Sequence, residues 1–428
     1  MARFLHIADI HLGYDRYNNW ERTKDFFYTL RDVILRHAIA AEVDCVVIAG
    51  DLFEHRNIRP AVLNQAQIVL RDLKTAGIPA IAIEGNHDNR PYGTKTGWLQ
   101  YLVGQGDLIL LEPDLTQPEG AFQPWDDRRK RGGYIDLDCG LRVLGSAWYG
   151  ATAPQAIARL AEEVQTLPPL VGSTIMLFHH GLEGQIARYA GALRYTDLLP
   201  LRQAGVDYLA LGHIHKNYTA ENWIYNPGSL EANSVEEADY QRGAYLVEVT
   251  ADGLQATLQQ DYRQRSTVRL SVTLTGQEAV AVVEEQAEAV IQTAIANGKL
   301  DPETQPIVEL RLRGTVGFDR LELDTRALQA QLQTQSNALV FLLKYEVEEK
   351  GYESPLQPDA SRSEIEQEVF TDLLNAHQTY AKRAEQLALG LMDFKERQLR
   401  HEPDEALYAF MDTLLNEPDY SVSPAGEV

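Results

Sequence analysis

LALGHIHKNY, residues 209–218, runs from a strand-like apolar stretch directly into two histidines two positions apart. Side chains two apart on a strand share a face, so His213 and His215 can both reach one locus while Ile214 turns into the core. A single histidine at a strand end is usually a satisfied polar group, and the chain has only eleven in 428 residues. The pattern matters because it recurs. Asp9 and His11 follow "RFLHI", Gly50 and Asp51 follow "DCVVIA", Asn86, His87 and Asp88 follow "IPAIAIEG", and His179 and His180 close "STIMLFHH".

Working outward, helical patterns over 21–41 and 60–76 separate the first three of these strand candidates. Strand–helix alternation implies βαβ units and an α/β fold with helices on the sheet faces. Further candidates at "GGYIDLDCGLRVLGSAWY", "NWIYNPGS" and "GAYLVEVT" follow without a helix between several of them, so the sheets should be mixed. In an open α/β sheet the carboxyl ends of the strands converge on one crevice, and every cluster named above lies at such an end.

At 44% hydrophobic and 24% charged the composition is that of a globular protein with room for two or three domains. The N-terminal residues lack the apolar run of a signal peptide and nothing approaches a membrane span, which makes cytoplasm the expected location. Cys45 and Cys139 lack metal-ligand spacing. The net charge of −23 argues against a broad basic footprint for nucleic acid. Much of it is a C-terminal property, because residues 351–428 carry sixteen Asp and Glu against six Lys and Arg. Binding of a polyanion would therefore rest on divalent cations and a few local arginines.

The residue types point to a dinuclear centre. Two close cations repel each other, and a carboxylate can bridge them with its two oxygens. Oxygen and imidazole donors without thiolates suit Mn²⁺, with Fe²⁺ or Zn²⁺ as alternatives. A lone DxH or GNHD arises easily by chance or as a turn, but the ordered set DxH, GD, GNHD, H, GHxH, each after a strand, does not.

With that set, residues 1–261 resemble the calcineurin-like metallophosphoesterase superfamily. The resemblance implies one metal held by Asp9, His11, Asp51 and His215, and a second by Asp51, Asn86, His179 and His213, with Asp51 bridging. His87 would lie outside both coordination shells and act on the transition state or the leaving oxygen. Two-metal chemistry implies in-line hydrolysis of a phosphoester.

Finer features bear on the substrate. "GDLFEHRNIRP" (51–60 with Gly50) and "IYNPGSLE" are similar to segments of the SbcD-type DNA repair exonuclease branch, with the overall acidity closer to its YhaO-like bacterial relatives. Glu54 stands where several of these nucleases are expected to carry histidine; it could orient His87, or His55 could. Arg56, Arg59 and Arg90 lie in or beside the metal loops and are candidate DNA contacts, as is the basic turn at 126–133.

The rest of the chain reads as a small α+β capping domain at 267–350, a linker at 351–362 and a C-terminal helical segment at 363–428 ending in an acidic tail. The expected helix over 363–400 opens with a Ser363/Glu366 capping box and repeats apolar residues from Ile365 to Phe394. The resemblance implies a DNA nuclease subunit working in double-strand-break repair with an SbcC-like coiled-coil ATPase, the C-terminal helix docking on it, and a homodimer. The competing functions are a phosphatase or phosphodiesterase of a small or nucleotide substrate, and a metal-bearing scaffold.

Overall fold

The computed structural model describes residues 1–416 except 92, 95, 118–119, 187–190, 350–359, 376, 378 and 401. Most of the expected linker and the acidic tail beyond 416 lie outside the described residues.

The N-terminal half begins β1 (Ala2–Ile7), α1 (Trp20–Val33), β2 (Cys45–Ile48), α2 (Pro60–Thr75), β3 (Ala80–Ala82), α3 (Trp98–Gly104) and β4 (Ile109–Leu110). The Asn19 side chain caps α1 by accepting from the Glu21 N–H at 2.9 Å, and Pro60 opens α2, where its missing N–H costs nothing. A second group follows: β5 (Tyr134–Asp136), β6 (Leu141–Leu144), α4 (Ala153–Val164), β7 (Ser173–His179), α5 (Tyr195–Gln203), β8 (Tyr208–Gly212), β9 (Tyr218–Ala220) and β10 (Ile224–Asn226). Then β11 (Ala244–Thr250) and β12 (Gly253–Gln259) return to the first sheet.

Two mixed six-stranded sheets result, ordered β12-β11-β1-β2-β3-β4 and β5-β6-β7-β8-β10-β9. Within them β1–β4 run parallel, as do β6, β7, β8 and β10, with antiparallel strands at the flanks. The strands read as unbroken apolar runs because both faces are covered. Phe4, Cys45, Val47 and Ile81 of the first sheet pack against Val143, Leu177, Tyr208 and Ala210 of the second. The alternate residues Leu5, Ile7, Val46 and Ile48 meet Phe26, Leu30, Val69 and Leu73 from α1 and α2. On the far side Met176, Phe178, Leu209 and Leu211 meet Ile157, Leu160 and Leu198 from α4 and α5. The core is thus a double sheet between two helical layers.

Register brings the chemistry together. Ile7 pairs with Ile48 and Ile48 with Ala82, so the loops after β1, β2 and β3 leave one edge side by side. In the second sheet His179 pairs with Gly212, directly before His213.

Residues after 266 form β13 (Thr267–Thr275), α6 (Val280–Ala296), β14 (Ile307–Val316), α7 (Thr325–Ser336) and β15 (Val340–Glu349), the three strands making one sheet in that order. The chain divides into two compact units, one of Met1–Leu270 with Ala289–Leu310 and Gln329–Leu343, the other of Ser271–Glu288 with Arg311–Leu328 and Lys344–Val428.

The C-terminal helices differ from the expectation. Instead of one helix over 363–400 there are α8 (Arg362–Asn375) and α9 (Ala384–Leu399), followed by α10 (Asp404–Asn416). The capping pair is Ser361 and Glu364, not Ser363 and Glu366: the Glu364 N–H donates to Ser361 Oγ at 3.3 Å and the Ser361 N–H to Glu364 Oε2 at 2.7 Å. The continuous apolar period misled because its residues serve different ends. Leu374, Tyr380, Leu387 and Phe394 close around Phe410 and Leu414 of α10, which a straight helix could not achieve. Ile365, Val369 and Leu373 stay exposed on α8.

Candidate metal centre

All seven proposed ligands meet at the shared edge of the two sheets. Asp9, His11 and His215 present donor atoms within 4.8 Å of one another, as do Asp9, Asp51 and His179. His11 Nε2 lies 3.1 Å from His215 Nε2, and Asn86 Oδ1 lies 2.8 Å from His213 Nδ1 and 3.1 Å from His179 Nε2. Asp9, His11, Asp51 and His213 all take positive φ values, of 50°, 53°, 53° and 92°. Such backbone is costly for residues other than glycine and persists where the surroundings dictate it. Here the Ile10 and His11 N–H groups both donate to the Asp51 carbonyl, at 2.9 and 3.1 Å, stitching the first two loops together.

The motif glycines are explained by space. A Cβ on Gly85 would lie 2.0 Å from Asp51 Oδ1, and one on Gly50, at φ +92°, would lie 2.3 Å from His179 Nδ1. Asp88 is a functional neighbour that sequence reasoning left unassigned. Its buried carboxylate accepts from Leu52 N and Gly85 N, both at 2.8 Å, and so straps the second loop to the third. Burial, reinforced by the Asp51 charge, raises its pKa to about 7.

The two histidines after β7 have different surroundings. His179 points its Nε2 at Asp51 Oδ2, 3.2 Å away, while its Nδ1 donates to the Ala49 carbonyl at 2.7 Å. His180 turns away, stacking on Trp148 at 5.6 Å and facing the Gly150 carbonyl.

Glu54 does two things at once. Its main-chain carbonyl lies 2.8 Å from His87 Nδ1, while its carboxylate reaches His11 Nδ1 at 2.7 Å and stands 3.8 Å from His87. His87 is therefore oriented chiefly by the Glu54 backbone, while the carboxylate lies against His11 without hydrogen-bonding geometry to it. His55 instead faces the exposed Asp15. His87 also donates its backbone N–H to Asp51 Oδ1 at 2.9 Å, and its ring is the more open one, edge-on to His11 at 4.9 Å. Among the arginines, Arg56 reaches the Asn86 carbonyl at 3.4 Å and Arg59 sits exposed ahead of α2. Arg90 is bound to Glu84 and Glu112.

The electrostatics favour a cation. Burial alone would raise the Asp51 pKa, yet the charge and hydrogen bond of His179 hold it well below the usual carboxylate range. Burial would likewise lower His179, but Asp51 raises it to about 9, so a proton is held where positive charge is wanted. His213, half-buried and beside His179, is lowered to about 3 by desolvation and by the neighbouring His179 charge and offers a neutral nitrogen. His215 sets Nδ1 against the Glu237 carboxylate at 2.9 Å, which directs its Nε2 lone pair at His11 Nε2. At 3.1 Å apart, the two Nε2 atoms are close enough to share either a proton or a cation. The donor set thus fits hard-to-borderline divalent ions.

A family model for calcineurin-like phosphoesterases matches residues 2–217. The chain is also similar to proteins named DNA double-strand break repair protein Mre11. That of Haloferax volcanii is 31% identical over 293 residues, covering 67% of this chain and 58% of the relative. That of Saccharolobus solfataricus is 29% identical over 262 residues, covering 59% and 61%. The match to that of Sulfolobus acidocaldarius, at 28% over 338 residues, covers 77% of this chain and 79% of the relative. The matched stretch spans 58% and 61% of the first two relatives, less than two thirds of their length.

Proposed function

The chain belongs to the calcineurin-like phosphoesterase family, and from that premise we propose that it is a two-metal-dependent DNA nuclease, hydrolysing phosphodiester bonds in double-strand-break repair. The observation that carries the reading is the convergence of Asp9, His11, Asp51, Asn86, His179, His213 and His215 on one edge with His87 open beside them. Asp9, His11, Asp51 and His215 would hold one cation and Asp51, Asn86, His179 and His213 the other, with Mn²⁺ the ion best suited and Fe²⁺ or Zn²⁺ next. Bound cations supply Lewis acidity toward phosphoryl oxygens and lower the pKa of water toward neutrality. His87, fixed by the Glu54 carbonyl and free of the ligand set, stabilises the charge on the non-bridging phosphoryl oxygens or protonates the departing oxygen.

DNA as the substrate is supported by the similarity to the Mre11 proteins. Arg56 and Arg59 flank the loops as backbone-phosphate contacts; Arg90, already paired with two glutamates, contributes less. The 267–350 module would position DNA. The C-terminal helices would dock on an SbcC-like coiled-coil ATPase, through apolar residues that α8 leaves exposed. A homodimer in the cytoplasm completes the proposal. Among the described residues, no helix is long and apolar enough to cross a membrane.

The test is direct. Purified protein with Mn²⁺ should degrade linear or single-stranded DNA, and Asp51→Asn should reduce the rate by about a hundredfold to a thousandfold, as loss of a centrally placed charge does. Hydrolysis of small phosphodiesters without cleavage of any DNA, even with the partner ATPase present, would replace this reading with that of a small-substrate phosphodiesterase.

A further inference from the structure

We propose that the cleft between the loops that follow β1 and β2 binds one unpaired nucleotide of the substrate strand, its base stacked on Trp20 and its phosphate met by Arg59. This deepens the nuclease reading of the metal centre and rests on it.

Trp20 stands apart from the other four tryptophans of the chain. Trp98, Trp125 and Trp223 belong to or pack against the apolar clusters of the two sheets, and Trp148 lies against the rings of His179, His180 and His213. Trp20, the first residue of α1, is 44% exposed, enters none of the described apolar clusters and makes no ring contact among the described residues. An indole left largely in water contributes little to the fold, whereas its flat face offers any nucleobase a stacking surface.

The surroundings suit such an occupant. Trp20 lines a cleft of about 290 Å³ together with Gly13, His55, Asn57 and Arg59. That volume stands at the small end for ligand pockets, so it admits one base and excludes a duplex. Gly13 takes φ +92°, and a Cβ there would lie 3.1 Å from Val62 Cγ1, so the floor needs a residue without a side chain. Asp15, the one acid among the lining residues, is paired with His55 at 3.4 Å. Arg59 makes no side-chain hydrogen bond or ion pair among the described residues, which leaves its charge for a phosphate. The walls of the cleft are continuous with the metal centre. Leu12 pairs with Phe53, and the Glu54 N–H donates to the Leu12 carbonyl at 3.0 Å, locking the two loops together. Gly13 follows His11 by two residues, and His55 follows Glu54, whose carbonyl holds His87. A strand with one phosphodiester at the cations therefore has this cleft beside its next nucleotides.

Two measurements on the full-length protein with Mn²⁺ test the site. In the slow His87→Ala variant, where the strand stays intact, a short single-stranded oligothymidylate should quench tryptophan fluorescence. Adding Trp20→Leu should remove that quench and weaken binding by about fivefold to a hundredfold, the range for losing one stacked base. The same phosphodiester backbone made without bases should bind more weakly and leave the fluorescence unchanged. In the otherwise unmodified protein, Trp20→Leu should raise KM for single-stranded DNA by about the same factor, Trp20→Phe should recover most of the loss, and hydrolysis of methyl p-nitrophenyl phosphate, too short to reach the cleft, should stay within about twofold. If Trp20→Leu melts early, Arg59→Gln probes the same cleft through the phosphate and should weaken the oligothymidylate and the base-free backbone alike. A quench that survives Trp20→Leu, equal binding of the base-free backbone, or an equal loss on the small diester would each overturn the assignment. DNA cleavage indifferent to Trp20 would sink this site and leave the nuclease reading; a Trp20-dependent quench in a protein that cuts no DNA would sink the nuclease reading and leave the nucleotide site.

Discussion

The loops at the sheet edge and the helices α8–α10 treat their side chains in opposite ways. At the edge, charged and imidazole groups are buried on left-handed backbone, each held by several neighbours: Asp9, His11, Asp51 and His179 are almost completely enclosed. On α8, apolar Ile365, Val369 and Leu373 are about half or more exposed to solvent. Each region departs from the cheapest arrangement, the first by burying polarity, the second by exposing hydrocarbon. The first departure is the arrangement expected of a site for chemistry, and the second is the surface that the proposed docking would cover.

The largest expected effect falls in the buried region. His87→Ala should retain two Mn²⁺ sites by titration yet lose about a hundredfold to ten-thousandfold in turnover, the range for removing a general acid or a transition-state donor. Loss of the metals instead would make His87 part of the ligand scaffold and remove the separation between holding ions and doing chemistry.

The residues of these loops are largely readable from sequence because their signal is local. The motifs DxH, GD, GNHD and GHxH each sit within a few residues of a strand end, and the strands themselves announce their burial on both faces. Legibility ended where partners are distant. Glu237 reaching His215, Asp88 strapping the second loop to the third, and the Glu54 carbonyl holding His87 are products of tertiary approach, invisible to spacing. The 363–400 stretch failed in another way. Its apolar period is real, but a period does not reveal that residues from Leu374 onward fold around α10 while Ile365, Val369 and Leu373 face solvent, and a helix start at 363 puts the capping pair two residues late.

A buried histidine outside the ligand set gives a smaller effect and a pH signature. His6, on β1 away from the ligand set, faces the Tyr208 hydroxyl at 3.0 Å and the Leu211 carbonyl at 3.1 Å, and complete burial lowers its pKa from 6.5 to about 3. The folded protein therefore excludes a proton that the unfolded chain binds. Stability from this group is fully present above about pH 6.5 and is lost as pH falls from there toward 3. Between pH 6.5 and 4.5 the loss should be about 2–3 kcal/mol, at about 1.4 kcal/mol per pH unit. Denaturant midpoints across that range should fall less steeply in His6→Gln than in the unmodified protein. Equal slopes would mean that the interior between the sheets admits a protonated imidazole, and that burial there is less strict than at the sheet edge.

The smallest effect is the sharpest test of the contrast. Val369 on α8 is half exposed and packs into none of the described apolar clusters, whereas Leu414 on α10 is fully buried among Leu387 and Phe410. Removing hydrocarbon that water already touches costs little, so Val369→Ser should change unfolding free energy by no more than about 0.5 kcal/mol. If the exposed stripe exists to meet a coiled-coil ATPase, the same substitution should weaken that association by much more than it weakens the fold, since hydrocarbon desolvated in an interface contributes there and not in the monomer. Loss of stability by 2 kcal/mol or more would show instead that α8 is covered by its own chain, and the exposed stripe would cease to be a counterpart to the buried charges of the metal loops.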